Sequence, residues 1–290
     1  MRTLRAYLEL LRPANVITAL ADVLAGYAIA GRANHAALPW LLMSTACLYG
    51  GGVVLNDFFD RALDRVERPE RPIPSGRVPA GRAAVFGAVL MALGLTAAIR
   101  ATPAAGTIAA AIVILVLAYD ARAKHIPFIG PLNMGACRGL NLLLGVAAVP
   151  VALETRWPLA FLPIIYIFGV TTVSRGEVHG GSRQIGRVAF ACMVLVLAGL
   201  VAISVGAGSP ALWWGIGLTT VLGVRVLPAF WNTAREGSPA LSRRAVRIGV
   251  LSLVLLDATL GSVYAGPFYA LLILAVAALA WTCARAFAVT

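Results

Sequence analysis

Four oxygen-bearing side chains lie close together in the sequence where a long apolar run ends: Asn56, Asp57, Asp60 and Asp64. Successive residues of a helix rotate by about 100°, so a helix here would place all four within an arc of roughly 100°. Carboxylates crowded on one face repel each other unless a cation lies between them. Oxygen ligands suit Mg²⁺, which completes its coordination with water and substrate phosphates. The spacing of Asp57, Asp60 and Asp64 therefore indicates either a magnesium site or a solvated helix end with ordinary charge pairing.

The next segment, residues 65–77, is rich in arginine and has prolines at positions 69, 72 and 74. Proline prevents a continued helix, so we expect a stiff, extended loop. Arginine is suited to bidentate contacts with phosphate, and Arg71 lies in the middle of this loop. Carboxylates for a metal beside arginines for phosphate indicate a diphosphate site. The alternative is that these arginines set membrane topology or bind anionic headgroups.

The composition of the chain excludes an ordinary soluble domain. Of its 290 residues, 60% are hydrophobic and only 12% are charged, against about 25% charged in soluble proteins. The apolar runs are continuous and do not alternate, which favours membrane-spanning helices over a β-barrel. In so apolar a chain, the net charge of +12 is better explained by basic residues in the loops on one side of a membrane than by nucleic-acid binding. We therefore expect no nucleic-acid partner.

Apolar segments of about 20 residues match the hydrocarbon thickness of a bilayer. The sequence predicts an all-α bundle of about 9–10 spans within one integral membrane domain, residues 1–290, preceded by an amphipathic lead-in over residues 1–12. The predicted spans are residues 13–31, 36–56, 80–100, 103–119, 130–151, 157–174, 188–206, 211–232, 247–265 and 267–287.

The basic residues predict the orientation of these spans. With the N-terminus in the cytoplasm, the cytoplasmic segments hold 19 of the 24 Lys and Arg residues, as the positive-inside rule favours. The acidic helix end, the segment after span 4 and the segment after span 6 then emerge on the same side. A central cavity is therefore expected to open toward the cytoplasm.

The motif of residues 56–64, followed by Arg71-Pro72-Ile73-Pro74-Ser75-Gly76, closely resembles the first signature of the UbiA intramembrane prenyltransferases. Leu11-Arg12-Pro13 before span 1, and Tyr119 with Lys124 after span 4, also match positions typical of that family. The resemblance extends over about residues 8–265. It implies a helical bundle around a cavity open to lipid, in which two acidic motifs bind Mg²⁺ and a prenyl diphosphate. Departure of the diphosphate leaves an allylic cation, which an acceptor, often aromatic, captures.

The second acidic motif of the family departs from its pattern here, over residues 174–183. The spacing of the first motif falls on Ser174, Glu177 and Gly181, so only Glu177 keeps a carboxylate and is the expected remaining metal ligand. Arg183 is a candidate for direct contact with diphosphate. With an intact first motif and a degraded second one, the chain resembles the divergent UbiA-like membrane proteins associated with Ebo clusters.

The resemblance implies specific roles for residues of this chain. Asp57, Asp60 and Asp64 would hold Mg²⁺, and the ring of Tyr119 would stabilise cationic character. The expected diphosphate contacts are Asn56, Arg71, Arg122, Lys124 and Arg183.

The function that the resemblance implies is Mg²⁺-dependent prenyl transfer from a prenyl diphosphate to a lipophilic, aromatic-type acceptor in a bacterial inner membrane, in contact with membrane lipid. An alternative is a non-catalytic UbiA-like protein that transports or exports a lipophilic metabolite precursor. A conventional secondary transporter would instead place its polar groups at mid-membrane.

Three charged residues within predicted spans are costly in lipid and are expected to face the bundle interior: Asp22, Arg138 and Asp257. Arg138 is expected to pair with one of the two aspartates. Alternatively, it lines the cavity or binds an acceptor carboxylate.

Overall fold

In the computed structural model, which describes residues 2–176 and 181–286, the regular secondary structure of the described residues is helical throughout. The α-helices are α1 (Arg2–Leu11), α2 (Pro13–Ile29), α3 (Leu38–Phe59), α4 (Arg61–Glu67), α5 (Ala80–Ala101), α6 (Pro103–Ala121), α7 (Ile129–Val146), α8 (Leu153–Arg156), α9 (Phe161–Ser174), α10 (Arg183–Ala207), α11 (Ala211–Glu236), α12 (Pro239–Ala265) and α13 (Pro267–Ala286). Nine of the ten predicted spans correspond to one α-helix each, and the span predicted at residues 157–174 is a 3₁₀ turn, Trp157–Ala160, followed by α9. The predicted all-α architecture is therefore confirmed.

Seven segments of the described chain are long and apolar enough to cross a bilayer: α3, α5, α6, α10, α11, α12, and the helical stretch Pro150–Ser174, which ends in α9. The other three predicted spans are α2, α7 and α13. The apolar stretches of α2 and α13 are shorter. Helix α7 carries Asn133, Arg138 and Asn141, three polar residues that are all buried. These polar side chains are therefore placed inside the bundle, where other helices can satisfy them.

Helices α2 and α7 approach each other closely through a pair of glycines. A Cβ atom on Gly26 would lie 2.0 Å from the carbonyl oxygen of Leu142, and one on Gly145 would lie 2.2 Å from that of Val23. Neither position therefore has room for any other side chain. This close contact holds the polar residues of α7 against α2, as small residues do at helix interfaces in membranes.

The backbone at the end of α3 departs from helical geometry but keeps the helical pattern of hydrogen bonds. Asp60 leaves helical geometry (φ −84°, ψ 2°), and α4 begins at the next residue. The hydrogen bonds to the residue four positions earlier nevertheless continue, from the Asp60 amide to the Asn56 carbonyl (2.9 Å) and from the Asp64 amide to the Asp60 carbonyl (2.8 Å). The predicted common face of the acidic motif therefore survives the break.

The loop after α4 is compact, so the prediction of an extended loop was wrong. Its backbone closes consecutive turns, with hydrogen bonds from the Ser75 amide to the Arg71 carbonyl (3.0 Å) and from the Val78 amide to the Pro72 carbonyl (3.0 Å). Ile73 and Val78 are buried in a small apolar cluster with residues of α1, α3 and α5. Burial of these two side chains favours the turns over an extended loop, and it directs Arg71 toward the acidic motif.

Candidate functional site

A cavity of about 420 Å³ lies among α2, α3, α6, α7, α9 and α12. One end is polar, with Arg12, Asn56, Arg68, Tyr119 and Asp120 in its wall. Much of the remaining wall is aliphatic, contributed by Ile112, Val116, Ile167, Val170, Val246, Val250 and Leu253. A polar end joined to an apolar chamber fits an amphiphilic ligand with a charged head and a hydrocarbon tail.

Two carboxylates of the acidic motif share one arginine. The Arg71 Nη1 atom lies 3.3 Å from Asp57 Oδ1 and 2.8 Å from Asp64 Oδ2. Arg12 adds a second cation, since its Nη2 donates to Asp57 Oδ1 at 2.6 Å. The side chains of Asp57 and Asp64 are only 5% and 6% exposed, so these ion pairs are poorly screened by water.

Arg12 is positioned by an unusual backbone conformation. Its φ of 46° lies in the left-handed region, which a non-glycine residue rarely adopts. The following Pro13 begins α2, where a fixed φ and a missing N–H suit the first helical position. This strained junction places the Arg12 side chain in the cavity wall, where it forms the ion pair with Asp57.

The third carboxylate has a separate partner. Lys124 Nζ lies 2.6 Å from Asp60 Oδ1, and it comes from the short 3₁₀ turn Ala123–His125 that follows α6. Asn56 Nδ2 donates to Asp120 Oδ1 at 2.8 Å. These two contacts join the end of α3 to the end of α6 and bring predicted residues from both segments together.

At its other end the cavity reaches a buried polar network. Arg138 Nε lies 2.7 Å from Asp22 Oδ2, and Arg138 Nη2 donates to Thr18 Oγ1 at 3.2 Å. Asn141 donates to the same Asp22 oxygen at 2.8 Å. The prediction that Arg138 pairs with an aspartate is therefore confirmed, and the partner is Asp22, whereas Asp257 has no ion pair with a described residue. Arg138 also lines the cavity.

The predicted site residues are only partly brought together. Asn56 and Tyr119 line the cavity, and Asp57, Asp60, Asp64, Arg71 and Lys124 form the ion-paired cluster beside its polar end. Arg122 and Arg183 are exposed and contribute nothing to the cavity wall. Glu177, the carboxylate expected to remain in the second motif, lies outside the described residues, whereas Ser174 of that motif does line the cavity.

Three residues of the polar end have no role predicted from the sequence: Arg68, Asp120, and Arg12, which the sequence marks only as part of the Leu11-Arg12-Pro13 match. Arg68 lies four positions after Asp64 and donates its amide to the Asp64 carbonyl at 2.9 Å, so helical spacing could have placed it. Arg12 directly precedes Pro13, and a proline at the first helical position is a recognisable sequence signal for the start of a helix. Asp120 follows a predicted site residue, Tyr119, but its hydrogen-bond partner Asn56 is 64 positions away in the sequence, so no local pattern indicates this contact.

These features define an all-helical membrane protein with a charged pocket at one end of an apolar cavity. The chain belongs to the UbiA prenyltransferase family, whose family model matches residues 19–242. It is therefore an integral membrane protein, as the seven apolar helices indicate.

Two similar proteins come from archaea. The chain is 36% identical over 184 residues to a digeranylgeranylglyceryl phosphate synthase from Ignicoccus hospitalis; the match spans 63% of this chain and 60% of the relative. It is 32% identical over 232 residues to a protein of the same name from Methanoregula boonei, spanning 73% and 78% of the two chains. These relatives therefore do not support the expectation that the protein lies in a bacterial inner membrane.

Solved structures share the fold. A digeranylgeranylglyceryl phosphate synthase structure superposes with a TM-score of 0.67 at 22% identity, covering 90% of this chain and 98% of that one. A UbiA homologue from Archaeoglobus fulgidus, bound to DMAPP and Mg²⁺, gives a TM-score of 0.67 at 16% identity, covering 93% and 99%. At these identities the likeness establishes the fold.

Proposed function

We propose that this protein transfers a prenyl group from a prenyl diphosphate to a lipophilic acceptor within the membrane. The observation that carries this proposal is the cavity, whose aliphatic wall joins a polar end with basic side chains, beside the ion-paired aspartates of the first acidic motif. An isoprenoid tail fits the apolar part, and a diphosphate fits the charged end. The apolar wall also excludes water from the carbocation formed when diphosphate leaves.

The donor head is proposed to bind at the Arg12, Arg71 and Lys124 side chains. All three are now paired with carboxylates at 2.6–3.3 Å, so their cationic groups are already directed toward one region. Arginine and lysine stabilise negative charge that develops on a leaving diphosphate. The proposed role of Tyr119 is to stabilise the allylic cation with its ring.

Mg²⁺ is proposed as the cofactor, because the donor set fits a hard cation. Asp57 and Asp64 direct their oxygens at a single cationic nitrogen of Arg71, so their geometry already accommodates a shared positive charge. The described residues contain no group of three His, Cys, Asp or Glu side chains that could hold a metal by themselves. Water and phosphate oxygens would therefore complete the coordination. When bound, Mg²⁺ neutralises charge on the departing diphosphate.

The names of the relatives favour a glyceryl phosphate acceptor over the aromatic acceptor expected from the sequence. The Ignicoccus and Methanoregula proteins are both named digeranylgeranylglyceryl phosphate synthase. We therefore infer that the acceptor here is a hydroxyl of an isoprenyl glyceryl phosphate. The site is inferred to open toward the cytoplasm, in line with the distribution of basic residues, and the chain to form one membrane domain.

The experiment that tests this proposal is turnover by purified protein in lipid nanodiscs. Labelled prenyl diphosphates of increasing length are combined with an isoprenyl glyceryl phosphate, with Mg²⁺ or with a chelator. We expect Mg²⁺-dependent release of diphosphate and a prenylated product, both of which disappear in an Asp57→Asn, Asp60→Asn double variant. The matched control is Glu154→Gln, since Glu154 is an exposed carboxylate in α8, outside the cavity wall. Mg²⁺-dependent binding without product, with every acceptor tested, would favour the transport alternative.

A further inference from the structure

Asp120 is the one carboxylate that the described residues contribute to the cavity wall. It lies in the last turn of α6 beside Tyr119, and only 3% of its surface is exposed. The three aspartates of the first motif are ion-paired outside that wall. Asp120 is therefore available for a task other than the metal binding proposed for the motif aspartates.

The two oxygens of Asp120 differ in their surroundings. Oδ1 accepts the hydrogen bond from Asn56, whereas Oδ2 is buried and has no hydrogen-bond partner among the described residues. Burial of an unpartnered carboxylate oxygen is unfavourable, so such a group calls for an explanation. Asn56 orients the carboxylate through Oδ1 and leaves Oδ2 able to accept a further hydrogen bond.

Lys124 does not satisfy this oxygen, although it lies only four residues further along the chain. Its ammonium group bonds to Asp60 instead. The titratable groups that interact most strongly with Asp120 are Asp57 and Asp60 of the motif, Lys124, Tyr119 and Cys137; Arg12 and Arg68 lie at the same end of the cavity wall. Lys124 is the only cation among the groups that interact most strongly, and Asp60 already holds it. Asp120 is thus an unpartnered hydrogen-bond acceptor in the cavity wall, at the polar end beside which the donor head is proposed to bind.

We infer that Asp120 is a catalytic residue that binds the acceptor hydroxyl and accepts its proton. This inference rests on the prenyl transfer proposed above. The bond between C1 of the prenyl group and the diphosphate oxygen breaks, and its electrons leave with diphosphate. The acceptor oxygen forms a new bond to C1, and the O–H proton passes to Asp120 Oδ2. The acceptor class is an alcohol, in line with the isoprenyl glyceryl phosphate inferred above.

A purely structural role for Asp120 makes a different prediction. If Asp120 served only to tie α6 to α3, the Asp120→Asn variant would keep full activity, because the asparagine oxygen can still accept the bond from Asn56. A general base contributes about 10²–10⁴-fold to rate, so we expect Asp120→Asn to lose about that much prenyl transfer. Binding of the prenyl diphosphate with Mg²⁺ should be unchanged.

The experiment measures donor binding and prenyl transfer separately in nanodiscs, for wild type, Asp120→Asn and Asp120→Ala, with Glu154→Gln as the carboxylate control. Thermal unfolding confirms that each variant is folded. Added formate should restore part of the transfer activity in Asp120→Ala, which a structural role would not produce.

Wild-type transfer rates in Asp120→Asn would overturn the inference. Loss of Mg²⁺-dependent donor binding in that variant would also overturn it, by placing Asp120 in the donor site. If the wild-type protein binds donor but transfers to no hydroxyl acceptor, the assignment of Asp120 fails while the donor site stands. Absence of donor binding in wild type would refute the proposed function itself.

Discussion

Replacement of Arg71 by methionine tests whether the acidic motif depends on its shared cation. Arg71 is 14% exposed at its side chain and contacts Asp64 at 2.8 Å and Asp57 at 3.3 Å. Asp64 has no other ion pair with a described residue, whereas Asp57 keeps Arg12. Removing one partner of a buried pair costs about 3–5 kcal/mol. Because Arg71 is partly solvated and Asp57 stays paired, we expect the lower end, about 3 kcal/mol.

The free energy of unfolding is to be measured by reversible denaturation in mixed micelles. The double variant Arg71→Met, Asp64→Asn should recover much of the loss, because the uncompensated charge has been removed with its partner. The matched control is Arg5→Met, since Arg5 pairs with Glu9 at 3.3 Å but is 72% exposed; exposed pairs contribute about 0–1 kcal/mol. A loss below about 1 kcal/mol for Arg71→Met, or no recovery in the double variant, would refute the reasoning.

Two further predictions concern the donor site and the helix interface. Lys124→Met should weaken prenyl diphosphate binding by more than Arg122→Met in a direct binding assay, because Lys124 lies 2.6 Å from Asp60 whereas Arg122 is exposed and has no ion pair with a described residue; equal effects would contradict this assignment. Gly26→Ala should destabilise the protein by about 1–3 kcal/mol, since its Cβ would lie 2.0 Å from a backbone oxygen of α7, whereas Gly217→Ala, with no atom within 4 Å, should cost nothing measurable by thermal unfolding.

The polar residues at the two ends of the cavity bear on the alternative of a conventional secondary transporter. A secondary transporter is expected to hold its substrate near mid-membrane, at broken helices. Here the ion-paired residues of the acidic motif lie at helix ends and in the adjoining turns. The Arg138 and Asp22 network is deeper in the bundle but is internally paired. This arrangement favours a head-group site at the end of an apolar cavity.

The sequence by itself determined the fold class and the shared face of the acidic motif in the candidate site. The length and continuity of the apolar runs are set by the local order of residues, so the ten helical segments could be predicted. The relative directions of the side chains in residues 56–64 follow from their spacing and from helix rotation. The common face of Asp57, Asp60 and Asp64 is a local property of one backbone segment, and it persists through the bend at Asp60. The pairing of Arg138 with an aspartate could be predicted because a charge within a span requires a partner.

The partners within the site were decided only by the tertiary structure. Arg12 meets Asp57 across 45 residues, and Asn56 meets Asp120 across 64. No local pattern encodes such pairs, because they depend on how the helices pack. The loop carrying Arg71 is compact because Ile73 and Val78 find an apolar cluster, a gain that exists only once α1, α3 and α5 are in place. The acidic face could thus be predicted from local sequence. Which cations neutralise it, and the position of Asp120 in the cavity wall, depend on long-range packing of the helices.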